Sequence, residues 1–379
     1  MKKNWKIVKI PEVLFFQEGP GVRKNQFSTN GVKLLNVGNI NEERINLSKT
    51  KIYISKEEAF GKYKHFLIDE GDLVIASSGI VVDNFYNKIA FIEKEHLPLC
   101  MNTSTIRFKA LDKKVLNLHY FKFFLKTKFF SNQLQKLITG SAQLNFGPSH
   151  LKKIDLILPP LQDQKRIVKI LDSAEALCQK RKQVITLLDD YLKSVFLEMF
   201  GDPVTNTKKI KTYRGSDLFK FSSGKFNPTK NLSDGFKYPT YGGNGITGYS
   251  KDYLIDYDTL VIGRVGAYCG CIHKTSGKIW ITDNAIFVKD FKQEVNLEFM
   301  NFQFKFLKFN KFADFSGQPK ITQKPLEKTE YLAPPLEAQK IFDEIVKKTE
   351  SIKQKMLIQS QELETQFQAL IQKAFKGEL

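Results

Sequence analysis

The chain has 379 residues, 42% of them hydrophobic and 26% charged, a balance that excludes a disordered polymer and allows two domains of ordinary size. Its net charge of +19 points to a polyanionic partner, nucleic acid foremost, although only seven of the 59 basic residues are Arg and part of the excess reflects a Lys-rich composition. No apolar run nears the ~20 residues of a bilayer span, Met1 to Ile10 carries charges where a secretory signal is apolar, and Cys100, Cys178, Cys269 and Cys271 form neither a disulfide framework nor a second metal-ligand pair; a cytoplasmic chain with free thiols and no membrane contact is expected.

In chain order, the first region runs over 1–158. Val13-Leu14-Phe15-Phe16 opens toward Gly19, Leu73-Val74-Ile75 runs to Gly79, and Ser104-Thr105-Ile106-Arg107-Phe108 reads as a further strand. A helix is expected over His119 to Leu137, followed by Gly140-Ser-Ala-Gln143-Leu-Asn145. Leu151-Lys-Lys-Ile-Asp-Leu-Ile-Leu-Pro159-Pro160-Leu161-Gln-Asp-Gln164-Lys165 leads into a stretch without Pro or Gly from about 162 to 199, closed by Gly201-Asp202-Pro203. That helical span is assigned to 159–202.

The second region, 203–333, repeats the first. Leu218-Phe219-Lys220-Phe221 precedes Gly224, Leu260-Val261-Ile262-Gly-Arg-Val-Gly266 parallels 73–79, and Asn284-Ala285-Ile286-Phe287-Val288 parallels 104–108. A helix is expected over Leu297 to Phe312. Leu326-Glu-Lys-Thr-Glu-Tyr-Leu-Ala-Pro334-Pro335-Leu336-Glu-Ala-Gln339-Lys340 then restates 151–165 in fixed register, and a last helix fills 334–379 to Gly377.

Both long helices carry apolar residues at alternating steps of three and four. The expected seam is Ile167, Ile170, Ala174, Leu177, Val184, Leu188, Tyr191 and Val195, interrupted by Arg181; its counterpart is Phe342, Ile345, Thr349, Ile352, Met356, Gln359, Leu363, Gln366 and Leu370. Two helices of equal length, each ~55–60 Å long, fit better as partners than as separate amphipathic helices. The fold expected is therefore α+β: two mostly-β domains with helices, separated by two long antiparallel helices forming a coiled-coil spacer with a pseudo-two-fold.

Several polar loop residues are candidates for contacting nucleic acid. Arg264, between Gly263 and Gly266, can bond both acceptors of guanine, clamp a phosphate, or form a structural ion pair. Gln143, Asn145, Gln318 and Lys320 follow Gly140 and Gly317; the Gln and Asn amides can read adenine edges or merely tie loops. Lys225, Tyr241, Asn244, Tyr268 and Lys274 in the second region, and Arg23, Lys24, Asn39, Ser77, Ser78 and Asn102 in the first, lie at comparable places. Gly243-Asn-Gly245-Ile-Thr-Gly248 has the letters of a dinucleotide fingerprint but follows Lys-Tyr-Pro-Thr-Tyr rather than a buried strand; it reads as a turn, structural or open to a ligand. Leu158-Pro-Pro-Leu161 and Ala333-Pro-Pro-Leu336 lack the polar and aromatic residues that flank Pro-Pro in amino-methyltransferases, and no phosphate-binding Gly-x-x-x-x-Gly-Lys-Ser/Thr occurs. Cys269-Gly-Cys271 with His273 falls short of a four-ligand metal site. No catalytic or metal residue is assigned.

The twin Pro-Pro-Leu-x-x-Gln segments, the helices after them, Tyr238-Pro-Thr-Tyr-Gly-Gly-Asn-Gly-Ile246, Ile262-Gly-Arg-Val-Gly-Ala-Tyr-Cys-Gly270 and Gly140-Ser-Ala-Gln-Leu-Asn145 resemble the specificity subunit of type I restriction-modification systems. The resemblance spans the chain and is stronger in the second region, since the first has Ala76-Ser-Ser-Gly79 in place of the Gly-Arg-x-Gly loop. It implies a sequence-specific DNA-binding subunit without catalysis of its own, in which 1–158 and 203–333 are target recognition domains, each reading half of a bipartite site in double-stranded DNA. It implies that the paired helices set the spacing and dock methyltransferase subunits, two in number, and that restriction/motor subunits join them. S-adenosylmethionine, ATP and Mg are then cofactors of the partners in an adenine-N6 methyltransferase and endonuclease complex, with none in this chain. A coiled-coil protein scaffold that does not read DNA sequence, and the specificity module of another modification or defence system, are the alternatives.

Overall fold

A computed structural model of the chain describes residues 4–138 and 143–379. Two compact units emerge: Met1–Lys180 with Ser360–Leu379, and Arg181–Gln359.

The first unit is built on a four-stranded sheet of β1 (Leu14–Glu18), β2 (Leu73–Ala76), β3 (Ile89–Phe91) and β4 (Thr105–Ala110), in the order β1-β4-β2-β3 and antiparallel throughout. The second unit repeats this with β5 (Phe219–Ser223), β6 (Thr259–Gly263), β7 (Ile272–Thr275) and β8 (Ala285–Phe291), in the order β5-β8-β6-β7. Central strands β2 and β6 read as continuous apolar runs because both faces are covered. Each unit adds a smaller three-stranded sheet with one parallel pair: Val32–Leu35 beside Leu99–Met101, and Tyr238–Gly242 beside Trp280–Ile281. The repeat seen in the sequence is thus a repeat of topology.

The helix expected over His119 to Leu137 is two helices, α1 (Leu118–Phe124) and α2 (Lys128–Leu137). Thr127 makes the break: its hydroxyl donates to the Phe124 carbonyl (2.7 Å) and accepts from Phe130 N–H (3.1 Å), closing one helix and capping the next. In the second unit α4 (Leu297–Leu307) ends where Lys308 turns left-handed, and a single 3-10 turn, Phe309–Phe312, completes the expected span.

The long helices are α3 (Leu161–Phe200) and α5 (Leu336–Lys376). Within the first unit the start of α3 (Ile167, Leu171, Cys178) shares a core with the end of α5 (Phe367, Ile371, Ala374, Phe375). Within the second, the end of α3 (Leu192, Phe196, Phe200) shares one with the start of α5 (Phe342, Val346). Each unit by itself therefore pairs the helices antiparallel.

The inner seam of the long helices differs from the expected one. One expected row, Ile167, Ala174, Leu188 and Val195, does face inward, as do Phe342, Thr349, Met356, Leu363 and Leu370. The other row is displaced by one residue in both helices: Leu171, Cys178, Ile185 and Leu192 in place of Ile170, Leu177, Val184 and Tyr191, and Val346, Lys353, Ser360 and Phe367 in place of Ile345, Ile352, Gln359 and Gln366. Leu177, Val184, Tyr191 and Ile352 are exposed. The cause is a polar middle: Arg181 donates to Gln359 (3.1 Å) and Lys353 pairs with Asp189, so the apolar periodicity there belongs to the neighbouring outer stripe.

The shared Pro-Pro-Leu-x-x-Gln segment has a physical role. Buried Gln164 donates to the Pro159 carbonyl (2.9 Å) and accepts from Asn117 N–H (2.8 Å), the residue that caps α1. Gln339 does the same with Pro334 (2.8 Å) and Asn296 (2.9 Å), the cap of α4. One side chain thus fastens the start of each long helix to the first turn of the domain helix before it.

Candidate nucleic-acid interface

In each unit the strand ends gather at one edge of the sheet. In the first, the end of β1 meets the start of β4 where Gly19 N–H donates to the Thr105 carbonyl (2.9 Å). Ser77, after β2, donates its N–H to Ser104 (2.8 Å), its carbonyl accepts from Phe146 (2.9 Å), and Asn102 N–H reaches Leu35 (3.0 Å). The second unit holds the same frame: Gly224 to Ala285 (3.1 Å), Arg264 to Asn284 (2.9 Å), Ile321 to Arg264 (2.9 Å) and Thr282 to Tyr241 (2.8 Å). Gly19 and Gly224 are required by this frame, since a Cβ would stand 2.1 Å from the Asn102 carbonyl oxygen in one case and 2.2 Å from that of Thr282 in the other.

Equivalent positions on this common frame carry different side chains. Ser77 answers to Arg264, Asn102 to Thr282, and Glu18 to Ser223. Both clusters also leave buried polar atoms without partners among the described residues: Ser77 Oγ and Asn102 Oδ1 in one, Arg264 Nε and Thr282 Oγ1 in the other. Such atoms cost free energy unless water or a ligand bonds them.

Around Arg264 the second unit assembles most of the residues expected there. Val265 bridges to Lys320, Gly266 N–H donates to the Pro319 carbonyl (2.9 Å), and Gln318 reaches to within 3.6 Å of where a Gly266 Cβ would stand. Lys225 is fixed through its backbone, donating to Ile281 (2.9 Å) and accepting from Trp280 Nε1 (3.0 Å), with its side chain exposed. Asn244 lies exposed in the tight turn Gly242–Gly245, Tyr268 is exposed, and Tyr241 is half-buried. Burial raises the Tyr241 phenol above its ordinary value. Arg264 itself is half-buried and braces two loops, with Nη1 3.4 Å from Ser223 Oγ and 3.3 Å from the Asp283 carbonyl. Among the described residues it forms no ion pair, and the bonds of its Nη1 go to oxygens of the unit itself.

Other expected residues are placed differently. Lys274 points from β7 toward α4, pairs with Glu298, and lines a cavity of about 780 Å³ with Lys305, Asp189 and Lys353; strand alternation sends its neighbour His273, not Lys274, beneath the Gly245 turn. Burial, with Lys305 nearby, lowers the His273 imidazole pKa. Cys269 turns its thiol to the Arg264 carbonyl (3.1 Å), whereas Cys271 is exposed.

In the first unit, Ser77 is 1% exposed and Asn102 is buried, its amide donating to Asn36 Oδ1 (2.8 Å). Asn39 spends its amide on Thr50 (2.6 Å) and Asn46 (3.0 Å). These three hold the edge rather than project from it. Asn145 is exposed and accepts from Gly79 N–H (3.0 Å), Ser78 is half-buried, and Arg23 and Lys24 are exposed in the loop after β1. The side chain of Gln143, like residue Gly140, lies outside the described residues.

Sequence reasoning missed Glu18, Asn36, Ser223 and Asp283 at these edges, and Phe226 and Phe315 in their loops. Burial raises the Glu18 carboxyl above its ordinary value, against a backbone hydrogen bond from Ser104 that lowers it. The signal available was position: each follows or precedes a strand end that the repeat itself locates.

No helix among the described residues is long and apolar enough to cross a membrane. The type I restriction enzyme EcoprrI specificity subunit of Escherichia coli is 26% identical over 205 residues, covering 50% of this chain and 49% of that protein. The type I restriction enzyme MjaVIII specificity subunit of Methanocaldococcus jannaschii is 27% identical over 182 residues, covering 48% and 42%. The chain spans about half the length of these curated relatives. The crystal structure of the type I restriction-modification system S subunit from M. genitalium has the same fold, with a TM-score of 0.53 at 16% identity over 98% of this chain and 96% of that one. A family model, the type I restriction modification DNA specificity domain, matches residues 2–187 and again residues 207–364. The chain belongs to that family and carries its domain twice.

Proposed function

We propose that this chain is the non-catalytic specificity subunit of a type I restriction-modification complex. Each unit presents its loop edge to double-stranded DNA and reads one half of a bipartite site. One observation carries this reading: the same backbone frame is built twice, with half-buried Glu18 on one copy where the other has Ser223, and buried Ser77 where the other has half-buried Arg264. A duplicated frame with exchanged side chains suits two readers of two sequences, since base edges are distinguished by their donor and acceptor patterns. The Lys excess supplies phosphate attraction and counterion release.

The paired helices act as the ruler between half-sites and, with the outer faces of the domains, dock two methyltransferase subunits and the restriction/motor subunits, in the cytoplasm. S-adenosylmethionine, ATP and Mg belong to those partners, which bear the cost of flipping the target adenine. Two linked readers gain affinity through effective concentration.

The test is to co-express the chain with the methyltransferase gene beside its own and map methylated adenines genome-wide. A split motif with a fixed gap is expected. Methylation without such a motif, or methylation unchanged when this chain is omitted, overturns the reading.

A further inference from the structure

Among the described residues, the two most exposed large apolar side chains are Phe226 and Phe315, each 71% exposed. Both belong to the loop edge of the second unit. Phe226 follows Lys225, whose backbone is tied to Ile281 and Trp280, three residues after the Ser223 hydroxyl beside Arg264. Phe315 sits in the hairpin closed by Asp314 and Lys320, and Lys320 bridges to Val265, next to Arg264. The two rings thus rise from separate loops attached to either side of one arginine.

Chemistry narrows the occupant. A Phe held in water gives up the burial that a core position would supply, and the chain packs most of its other Phe rings, Phe219, Phe299, Phe304 and Phe309 among them in this same unit. The surroundings are cationic. The loop 222–232 holds Lys225 and Lys230 and no acid, and the segment 308–324 holds Lys308, Lys311, Lys320 and Lys324 against Asp314. Apolar rings on a basic rim match a ligand that is polyanionic outside and flat and apolar within, which is what a duplex offers.

We infer that Phe226 and Phe315 contact bases in the half-site read by the second unit. Their rings leave water on binding, either by inserting at a base step or by packing on thymine methyl groups. The inference rests on the DNA-reading function proposed above and adds two residues and a mode of contact that the polar candidates do not supply.

The experiment uses the full chain in complex with its methyltransferase subunits and a duplex carrying the mapped motif. Phe226→Ala and Phe315→Ala are each expected to weaken binding about 10- to 100-fold, the range for losing an aromatic–base contact, with the salt dependence unchanged. Lys320→Ala, by contrast, lowers the salt slope by about one. Phe226→Leu and Phe315→Leu should recover part of the affinity, and thermal midpoints should hold because the rings are exposed. Adenines of the second half-site are replaced singly by 2-aminopurine, and thymines by uracil. Emission that rises on wild-type binding and is lost in the Ala variants identifies insertion; weakening by uracil that the Ala variants no longer feel identifies methyl contact. Either supports the inference. Wild-type affinity in both Ala variants, with neither probe responding, overturns it while leaving DNA reading intact. A wild-type complex that shows no preference for the motif overturns the functional reading instead.

Discussion

At the scale of single residues, Arg264 and Lys320 stand a few ångströms of backbone apart yet should behave differently. Arg264 is half-buried, ordered by Ser223 and Asp283, and its Nε lacks a partner among the described residues. A guanidinium held this way is preorganised for a planar, two-pronged acceptor. Arg264→Ala is expected to cost about 1–3 kcal/mol of discrimination at one base pair of the second half-site. Competition binding against duplexes varied at each position would show relaxed preference there and nowhere else. Equal loss on every sequence would instead mark Arg264 as a phosphate clamp. In the first unit the residue to test is Glu18. Its carboxyl, raised by burial, can accept from a cytosine amine when ionised. Glu18→Gln should alter the base preferred in the first half-site and leave the second unchanged, as read from the methylated motif.

At the scale of elements, one device binds each domain to the long helices and a second is added in the first unit. Gln164 is fully buried and bonds Asn117 N–H and the carbonyls of Val115 and Pro159. Gln164→Ala removes the partner of three backbone groups, of which the Pro159 carbonyl is buried, and should cost about 1–3 kcal/mol in urea unfolding; Gln339→Ala, which frees the buried Pro334 carbonyl, should cost similarly. The second device exists in the first unit, where Lys122 and Lys126 of the α1 region meet Glu43 and Glu175 at 2.5–2.9 Å, with Lys126 only 2% exposed. Burial alone would raise the Glu175 carboxyl pKa, but Lys126 and Lys122 together hold it below the ordinary value. A carboxylate with a lowered folded pKa adds stability above its unfolded value, near 4.3, and loses it as pH falls through the folded one. Glu175→Gln should therefore destabilise the protein by about 3–5 kcal/mol at pH 7, and the difference from wild type should shrink in unfolding curves below pH 4. An undiminished difference in acid would assign the loss to packing. These same elements show what could be read in advance. The repeat located both Gln residues, both long helices and three strands of each sheet, because similar local chemistry recurs in fixed register. The expected seam lies one residue off on one row, because the middle of the pair is polar, with Lys353 bonded to Asp189 and Arg181 to the exposed Gln359, and Leu177, Val184 and Ile352 supply the visible period from outside. Side-chain direction at the loop edge was harder still: Ser77 follows a strand that the repeat locates, Lys274 lies inside one that it does not, and which way a side chain turns depends on partners such as Glu298 that lie far along the chain.

At the scale of the whole molecule, the proposed reading makes the long helices a ruler, and a ruler can be lengthened. Seven residues inserted in α3 near Arg181 and seven in α5 near Gln359 add about 10 Å at 1.5 Å per residue. A heptad nearly preserves helical phase, drifting only ~20°, so the row of Leu171, Cys178, Ile185 and Leu192 continues to meet its partner row. Ten ångströms corresponds to about three base pairs at 3.4 Å each. Methylome mapping of the lengthened chain with its methyltransferase should return the same two half-sites with a gap longer by about three. Inserting a single residue in α3 alone is the control. It rotates everything beyond it by ~100°, turns the inner row toward solvent, and should abolish modification rather than shift the gap. Each result tests a separate part of the idea. Changed half-sites would mean that the helices take part in reading, and an unchanged gap would mean that something other than the helices sets the distance.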